Sequence, residues 1–179
     1  MPYCLFDTAF GHVGLAWSEG GITRLQLPEK TAAATERRLL TRAGAGIPAN
    51  PPPHAQRVMA EVLRYFEGDR VDFASAMLDL STTSAFHQEI YTAARRIAWG
   101  DTTTYGGLAK AAGYPDAARA VGQAMGSNPV PVIIPCHRVQ ASGGKSGGFS
   151  AYGGAVTKDK MLALEGVCLG TGAPRLPGL

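Results

Sequence analysis

The residues Pro135-Cys136-His137-Arg138 set a thiol, an imidazole and a guanidinium side by side, directly after the apolar run Asn128-Pro129-Val130-Pro131-Val132-Ile133-Ile134. A cysteine reacts as its thiolate, and neighbouring His, Arg and backbone dipoles are the groups that favour that form. The Val and Ile content of the run predicts an extended strand that presents Cys136, exposed, at its end. A plainer use stands beside this one, since buried cysteine commonly behaves as a small hydrophobe. Cys4, Cys136 and Cys168 are odd in number and widely spaced, which points away from a disulfide framework and toward a reducing compartment. No Cys-x-x-Cys or paired Cys/His spacing is present, so no metal site is expected.

The elements around this segment follow from periodicity and punctuation. Residues 3–7, 13–18 and 22–27 are short β-prone stretches separated by Gly11 and Gly20-Gly21, a pattern that predicts a small antiparallel meander. Ala32 to Arg42 has helical composition, and Gly44 to Pro53 is a loop by its prolines and glycines. His54 to Glu67 returns to helical spacing with Val58, Val62 and Phe66 on one face, and Val71 to Leu80 is expected to be extended. The Ser/Thr cluster 81–84 is the expected domain boundary. Ser84 is placed to cap a helix carrying Phe86, Ile90, Ala93 and Ile97, ending near Gly100.

Tyr105 to Ala112 and Asp116 to Met125 are two further helical stretches joined by Gly113-Tyr114-Pro115, with Asp116 as the expected cap of the second. Two short helices on a tight Gly-containing turn form a helix-turn-helix pattern, whose second helix usually meets DNA. That second helix is almost bare: Ala117, Ala118, Ala120, Gly122, Ala124 and Gly126 leave long side chains only at Arg119, Val121, Gln123 and Met125. Reading major-groove bases needs long polar side chains, whereas a bare helix permits close backbone approach to a shallow groove. Tight packing against a neighbouring helix explains the small residues equally well.

Composition sets outer limits. The chain of 179 residues is 45% hydrophobic, enough for one substantial core or two small ones, and it lacks a bilayer-spanning apolar run or a signal segment. A soluble, intracellular protein is expected, without membrane association. Residues 1–83 carry a net charge of −1 and residues 84–170 a net charge of +3, which is compatible with a polyanionic partner for the second half.

Taken in order, Tyr105, Arg119-Ala120-Val121-Gly122, Asn128-Pro129, Pro135-Cys136-His137-Arg138-Val139, Gly148-Phe149-Ser150-Ala151 and Glu165-Gly166 resemble the O6-alkylguanine-DNA alkyltransferases. The resemblance covers roughly residues 84–170. It implies an α/β (α+β) protein with a small N-terminal domain (1–80) built on an antiparallel sheet, a mostly helical, winged-helix-like domain (84–170) and a tail (171–179). The implied activity is irreversible transfer of an alkyl group from guanine O6 to the protein, with thymine O4 left open as a second donor. The implied partner is double-stranded DNA carrying alkylated bases, bound by a monomer that uses no cofactor.

The resemblance also assigns roles. Cys136 takes the alkyl group, His137 activates it through a bound water, and Glu165 orients the imidazole, a nucleophile–base–orienter arrangement. Arg119 enters the base stack in place of the extruded nucleotide; its alternative is a surface ion pair with Asp116. Tyr105 helps rotate the nucleotide and donates to guanine N3, or else anchors a helix start. Ala118, Ala120 and Gly122, with Met125, face the minor groove. Asn128 holds the turn at Pro129, and Pro131, Val139, Phe149 and Ser150 bound the base and alkyl pocket. Ala98 and Tyr152 stand where many relatives have proline, and the Gly143 to Gly154 loop is longer than in some members. Three rivals remain open on sequence: a lesion-binding protein without catalysis, a cysteine hydrolase, and a winged-helix regulator.

Overall fold

The computed structural model describes residues 1–142 and 153–167. The chain opens with strands β1 (Pro2–Thr8), β2 (Gly11–Ser18) and β3 (Gly21–Gln26), antiparallel as the glycine spacing predicts. Strand β2 gives the sheet two different faces. Val13, Leu15 and Trp17 join the main core, whereas Gly14 and Ala16 lie under helix α1 (Ala32–Ala43). A Cβ on Gly14 would sit 3.0 Å from Leu39 Cδ2. Small residues on one face therefore let the helix close down, and large ones on the other fill the interior.

Several segments depart from expectation. Within the presumed loop 44–53, Ile47–Pro48 forms a two-residue strand, β4, parallel to β1 at the sheet edge, where proline is tolerated. Residues 71–80 are not uniformly extended: Phe73 has φ 54° and Ala76 N donates to Phe73 O at 3.1 Å, closing a turn. Arg95 Nη2 donates to the carbonyls of Phe73 and Ala76 at 2.8 and 3.2 Å, holding that turn. Only residues 77–79 line up with β3, through Ile22 N to Met77 O and Asp79 N to Ile22 O. Gly21 permits the crossing, since a Cβ there would fall 2.5 Å from Met77 O.

Helix α2 (Pro53–Phe66) buries Val58, Val62 and Phe66 as its spacing predicts, and also Ala55 and Tyr65. Helix α3 (Ala85–Ala94) starts at Ser84, whose Oγ accepts from His87 N. It ends short of Gly100 because Arg96 and Ile97 bond back only three residues, to Ala93 O and Ala94 O, tightening the chain out of the helix. Strand β5 (Thr103–Thr104) pairs in parallel with β6 (Val139–Gln140).

Helix α4 (Tyr105–Ala111) ends on Gly113 (φ 86°), with Tyr114 N bonded to Ala109 O and Gly113 N to Lys110 O, a Schellman ending. Helix α5 (Ala118–Gly126) packs against α4 and α3. Asp116 does not cap it. Ala117 N bonds back to Tyr114 O, and this extra turn makes Ala117 the cap residue, with no side-chain bond.

The run from Asn128 is not a strand. Prolines 129, 131 and 135 remove backbone donors, Val132 adopts φ 76°, and Pro131 and Ile134 make one isolated bridge. Asn128 replaces the missing ladder, accepting from Val130 N at 2.9 Å and donating to Ile134 O at 2.8 Å. Leu25 N of β3 donates to Pro129 O at 3.0 Å, pinning this turn to the sheet. Cys136–Arg138 then forms one 3₁₀ turn, against which helix α6 (Ala155–Leu164) packs. One apolar core runs from Val13 through Tyr65 and Ile90 to Val139 and Met161. Among the described residues no helix is long and apolar enough to cross a membrane.

Candidate active site

Cys136 is 7% exposed and sits in the same apolar cluster as Ile134 and Val139, so the expected open presentation of its sulfur is corrected. The prolines force a compact turn in place of a strand end, and the turn carries the thiol inward. Burial pushes the Cys136 thiol up from its ordinary value; the Asn128 side chain, the Lys158 charge and the N–H groups of residues 136 and 137 oppose that rise. Such a thiol needs an adjacent base and cation to react at neutral pH.

The neighbouring His137 is fully buried. Its Nε2 lies 2.7 Å from Glu165 Oε1, while Nδ1 is buried and, among the described residues, has no hydrogen-bond partner. A carboxylate on Nε2 fixes the proton there and leaves the Nδ1 lone pair free. Burial is the main reason that the His137 pKa falls, offset in part by Glu165 and reinforced by Arg138 and Lys158. Burial thus works against a standing cation on the ring beside the thiol. Glu165, despite the cost of its own burial, is held down to about 2 by hydrogen bonds from His137 and Arg138 and by the Arg138 charge.

Arg138 grips that carboxylate in a fork, Nε to Oε2 and Nη2 to Oε1, both at 2.8 Å, and gives Nη1 to Ile97 O at 2.6 Å. Its side chain serves Glu165, which corrects the simple reading of Arg138 as a charge beside the sulfur. Two residues of this cluster escape sequence reasoning. Tyr65 donates to Glu165 Oε1 at 2.8 Å, and Lys158, 0% exposed, donates Nζ to Val139 O at 2.7 Å.

The other anticipated residues divide by position. Asn128 is buried next to Cys136, and Tyr105, half-buried at the start of α4, is close enough for a thiolate to raise its pKa after burial has done so. A Cβ on Gly122 would meet the Tyr105 ring at 4.0 Å, so the bare helix α5 and Tyr105 share one surface. Arg119 projects from that helix, exposed, and among the described residues makes no ion pair with Asp116. Ala118 and Ala120 are half-buried beside it. Met125 does not share this face: at 4% exposure it lies inward with Val121 and Ala124, because its position on the helix turns it into the core. Pro131 is half-buried in the turn; Val139 is wholly buried and its carbonyl already accepts from Lys158. Phe149, Ser150 and Tyr152 lie outside the described residues. No group of His, Cys, Asp and Glu that could hold a metal occurs among the described residues.

A buried thiol, a carboxylate-anchored imidazole and a bare helix with one projecting arginine thus lie close together in the fold. Residues 85–167 match the family described as 6-O-methylguanine DNA methyltransferase, DNA binding domain. The chain is 34% identical over 165 residues to a methylated-DNA–protein-cysteine methyltransferase of Mycolicibacterium paratuberculosis, covering 92% of each. It is 36% identical to the Mus musculus protein of that name, over 100% of this chain and 87% of the mouse one. Among solved structures it is similar to Mycobacterium tuberculosis OGT in complex with DNA, with TM-score 0.74, 33% identity and 92% of both chains covered. The chain belongs to the methylated-DNA–protein-cysteine methyltransferase family.

Proposed function

We propose that this protein repairs O6-alkylguanine in double-stranded DNA by moving the alkyl group irreversibly to Cys136, inside the cell and without a cofactor. The thiol proton passes to His137 Nδ1 through a bound water. Sγ then bonds to the alkyl carbon as that carbon's bond to guanine O6 breaks. The electron pair of the broken bond goes to the base, which takes up a proton and is left as guanine. The product is a thioether, which no group in the cluster can cleave, so each molecule acts once. Residues 84–170 carry DNA binding and transfer, and residues 1–80 support them. The observation that carries this reading is the unpaired Nδ1 of His137, its opposite nitrogen fixed on Glu165, in the residue next to the thiol.

Intact-mass analysis after incubation with duplex DNA containing O6-methylguanine tests it. One methyl per protein, mapped to Cys136 and lost in Cys136→Ser, is the expected result. An unmodified protein that still binds the lesion would leave a lesion-binding protein, and repeated turnover would leave a hydrolase.

The target atom lies within a base stack, so the nucleotide must rotate out at a cost of a few kcal/mol. Arg119, exposed on α5, would fill the vacated place, with Ala118, Ala120 and Gly122 against the minor groove and Tyr105 beside the extruded base. Arg119→Ala is expected to slow transfer from duplex DNA by about tenfold or more while changing the rate on a short single strand far less. Equal losses on both substrates would contradict that role.

A further inference from the structure

We propose that Tyr65 is a positioning residue for alkyl transfer: from helix α2, outside residues 85–167, it shares the Glu165 carboxylate so that His137 is oriented without being charged. This rests on the assignment of His137 as the base. Tyr65 is wholly buried, and its ring packs edge-on against Trp99 and Phe66 and obliquely on Phe73. Its hydroxyl reaches Glu165 Oε1 at 2.8 Å and lies 3.2 Å from His137 Nε2. Packing alone would be met by phenylalanine, whereas a buried phenol needs a partner for its O–H.

Counting donors shows what the phenol changes. Glu165 Oε1 faces Tyr65 Oη, His137 Nε2 and Arg138 Nη2; Oε2 faces Arg138 Nε and, at 3.4 Å, Gly100 N. A carboxylate offers about four lone-pair sites, so these donors compete for one charge. A carboxylate left to the imidazole alone would draw the ring toward imidazolium, and a protonated ring cannot take the thiol proton. Tyr65 and Arg138 divert part of that charge. Among the described residues, the titratable and charged groups around the ring are Tyr65 from α2, Cys136 and Arg138 from the 3₁₀ turn, Lys158 from α6, and Glu165 just beyond it. Arg138 and Lys158 disfavour the charged ring, Glu165 favours it, and Tyr65 weakens Glu165.

Removing the hydroxyl strengthens the His137–Glu165 bond and raises the His137 pKa. The test is the single-turnover rate of methyl transfer from an O6-methylguanine duplex across pH, in the wild type and in Tyr65→Phe. The acid limb is expected to move up by about one pH unit, the worth of one hydrogen bond to a charged group. The rate then falls about tenfold on the acid side and stays within about twofold on the alkaline plateau, with affinity for undamaged DNA unchanged. An unmoved limb, with rates unchanged or uniformly lowered, would overturn the proposal. Ring ¹⁵N shifts of His137 against pH provide a readout independent of DNA, so absent methyl transfer in the wild type would sink the function while leaving Tyr65 testable. Should Tyr65→Phe fail to fold, the same shifts in the wild type decide: a neutral ring with its proton on Nε2 at pH 7 supports the proposal, and an imidazolium overturns it.

Discussion

Glu165→Ala is expected to lower folding stability by about 3–5 kcal/mol, read as a reduced urea midpoint, and to suppress alkyl transfer along with it. The size follows from what the carboxylate holds. Arg138 is buried and would keep its charge with no counter-ion, while Tyr65 Oη and His137 Nε2 would lose their acceptor in the same place. Glu165→Gln keeps the volume but turns an amide N–H₂ toward donors; it is expected to fold less stably and to slow transfer by about a hundredfold, with DNA affinity retained. The pH dependence of stability supplies a second check. The folded pKa of Glu165 lies near 2, below the ordinary value of 4.5, so its contribution is whole above about 4.5 and is lost as pH falls toward 2. That loss amounts to about 3 kcal/mol. The His137 pKa is also lowered on folding, so the unfolded chain takes up that proton first and stability declines as pH drops through 6.5. Glu165→Ala should flatten the Glu165 part of this curve and, by removing the group that favours a charged His137 ring, deepen the decline that starts near 6.5. A midpoint within 1 kcal/mol of wild type, by the same energy scale, would show that the network is not structural.

Lys158→Met should separate stability from activity in the opposite sense. The ammonium is buried, with one hydrogen bond to Val139 O and, among the described residues, no ion pair, and burial lowers its pKa. A charge kept out of water at such cost does not favour folding, so methionine of similar length is expected to leave stability unchanged or raise it by about 1 kcal/mol. The same charge favours the Cys136 thiolate. Single-turnover transfer should therefore slow by about tenfold to a hundredfold at neutral pH, with the deficit shrinking as alkaline pH ionises the thiol unaided. A variant that is badly destabilised yet transfers at the wild-type rate would show that Lys158 is a packing residue.

The juxtaposition of Cys136 and His137 could be read because the two are neighbours in the chain, and Glu165 because the family pattern supplies it. The meander could be read from its glycine punctuation, helices α1 and α4 from composition, and α2 from its clean helical period. Elsewhere, composition misled. Val and Ile between residues 130 and 134 suggest a strand, but three prolines strip the donors that a strand requires, and the chain folds into an Asn128-stitched turn. Tyr65 was invisible for another reason: it stands 72 residues from His137 and 100 from Glu165, on a helix face whose hydrophobic spacing already accounts for it. Lys158 falls on the inner stripe of α6 with Met161 and Leu162, a signal that becomes legible only once the helix is placed. Met125 and Asp116 show the same limit at single-residue scale, where a one- or two-residue shift in helix start decides what faces out.

The Tyr65–Glu165 bond also orders events during synthesis. Helix α2 is made early, the reactive turn later, and the carboxylate that aligns its imidazole later still. Contacts this distant along a chain form only after the intervening loops have closed, which is slow compared with local helix formation. A growing polypeptide on the ribosome thus carries Cys136 and His137 before it carries Glu165, the carboxylate that His137 meets in the finished fold.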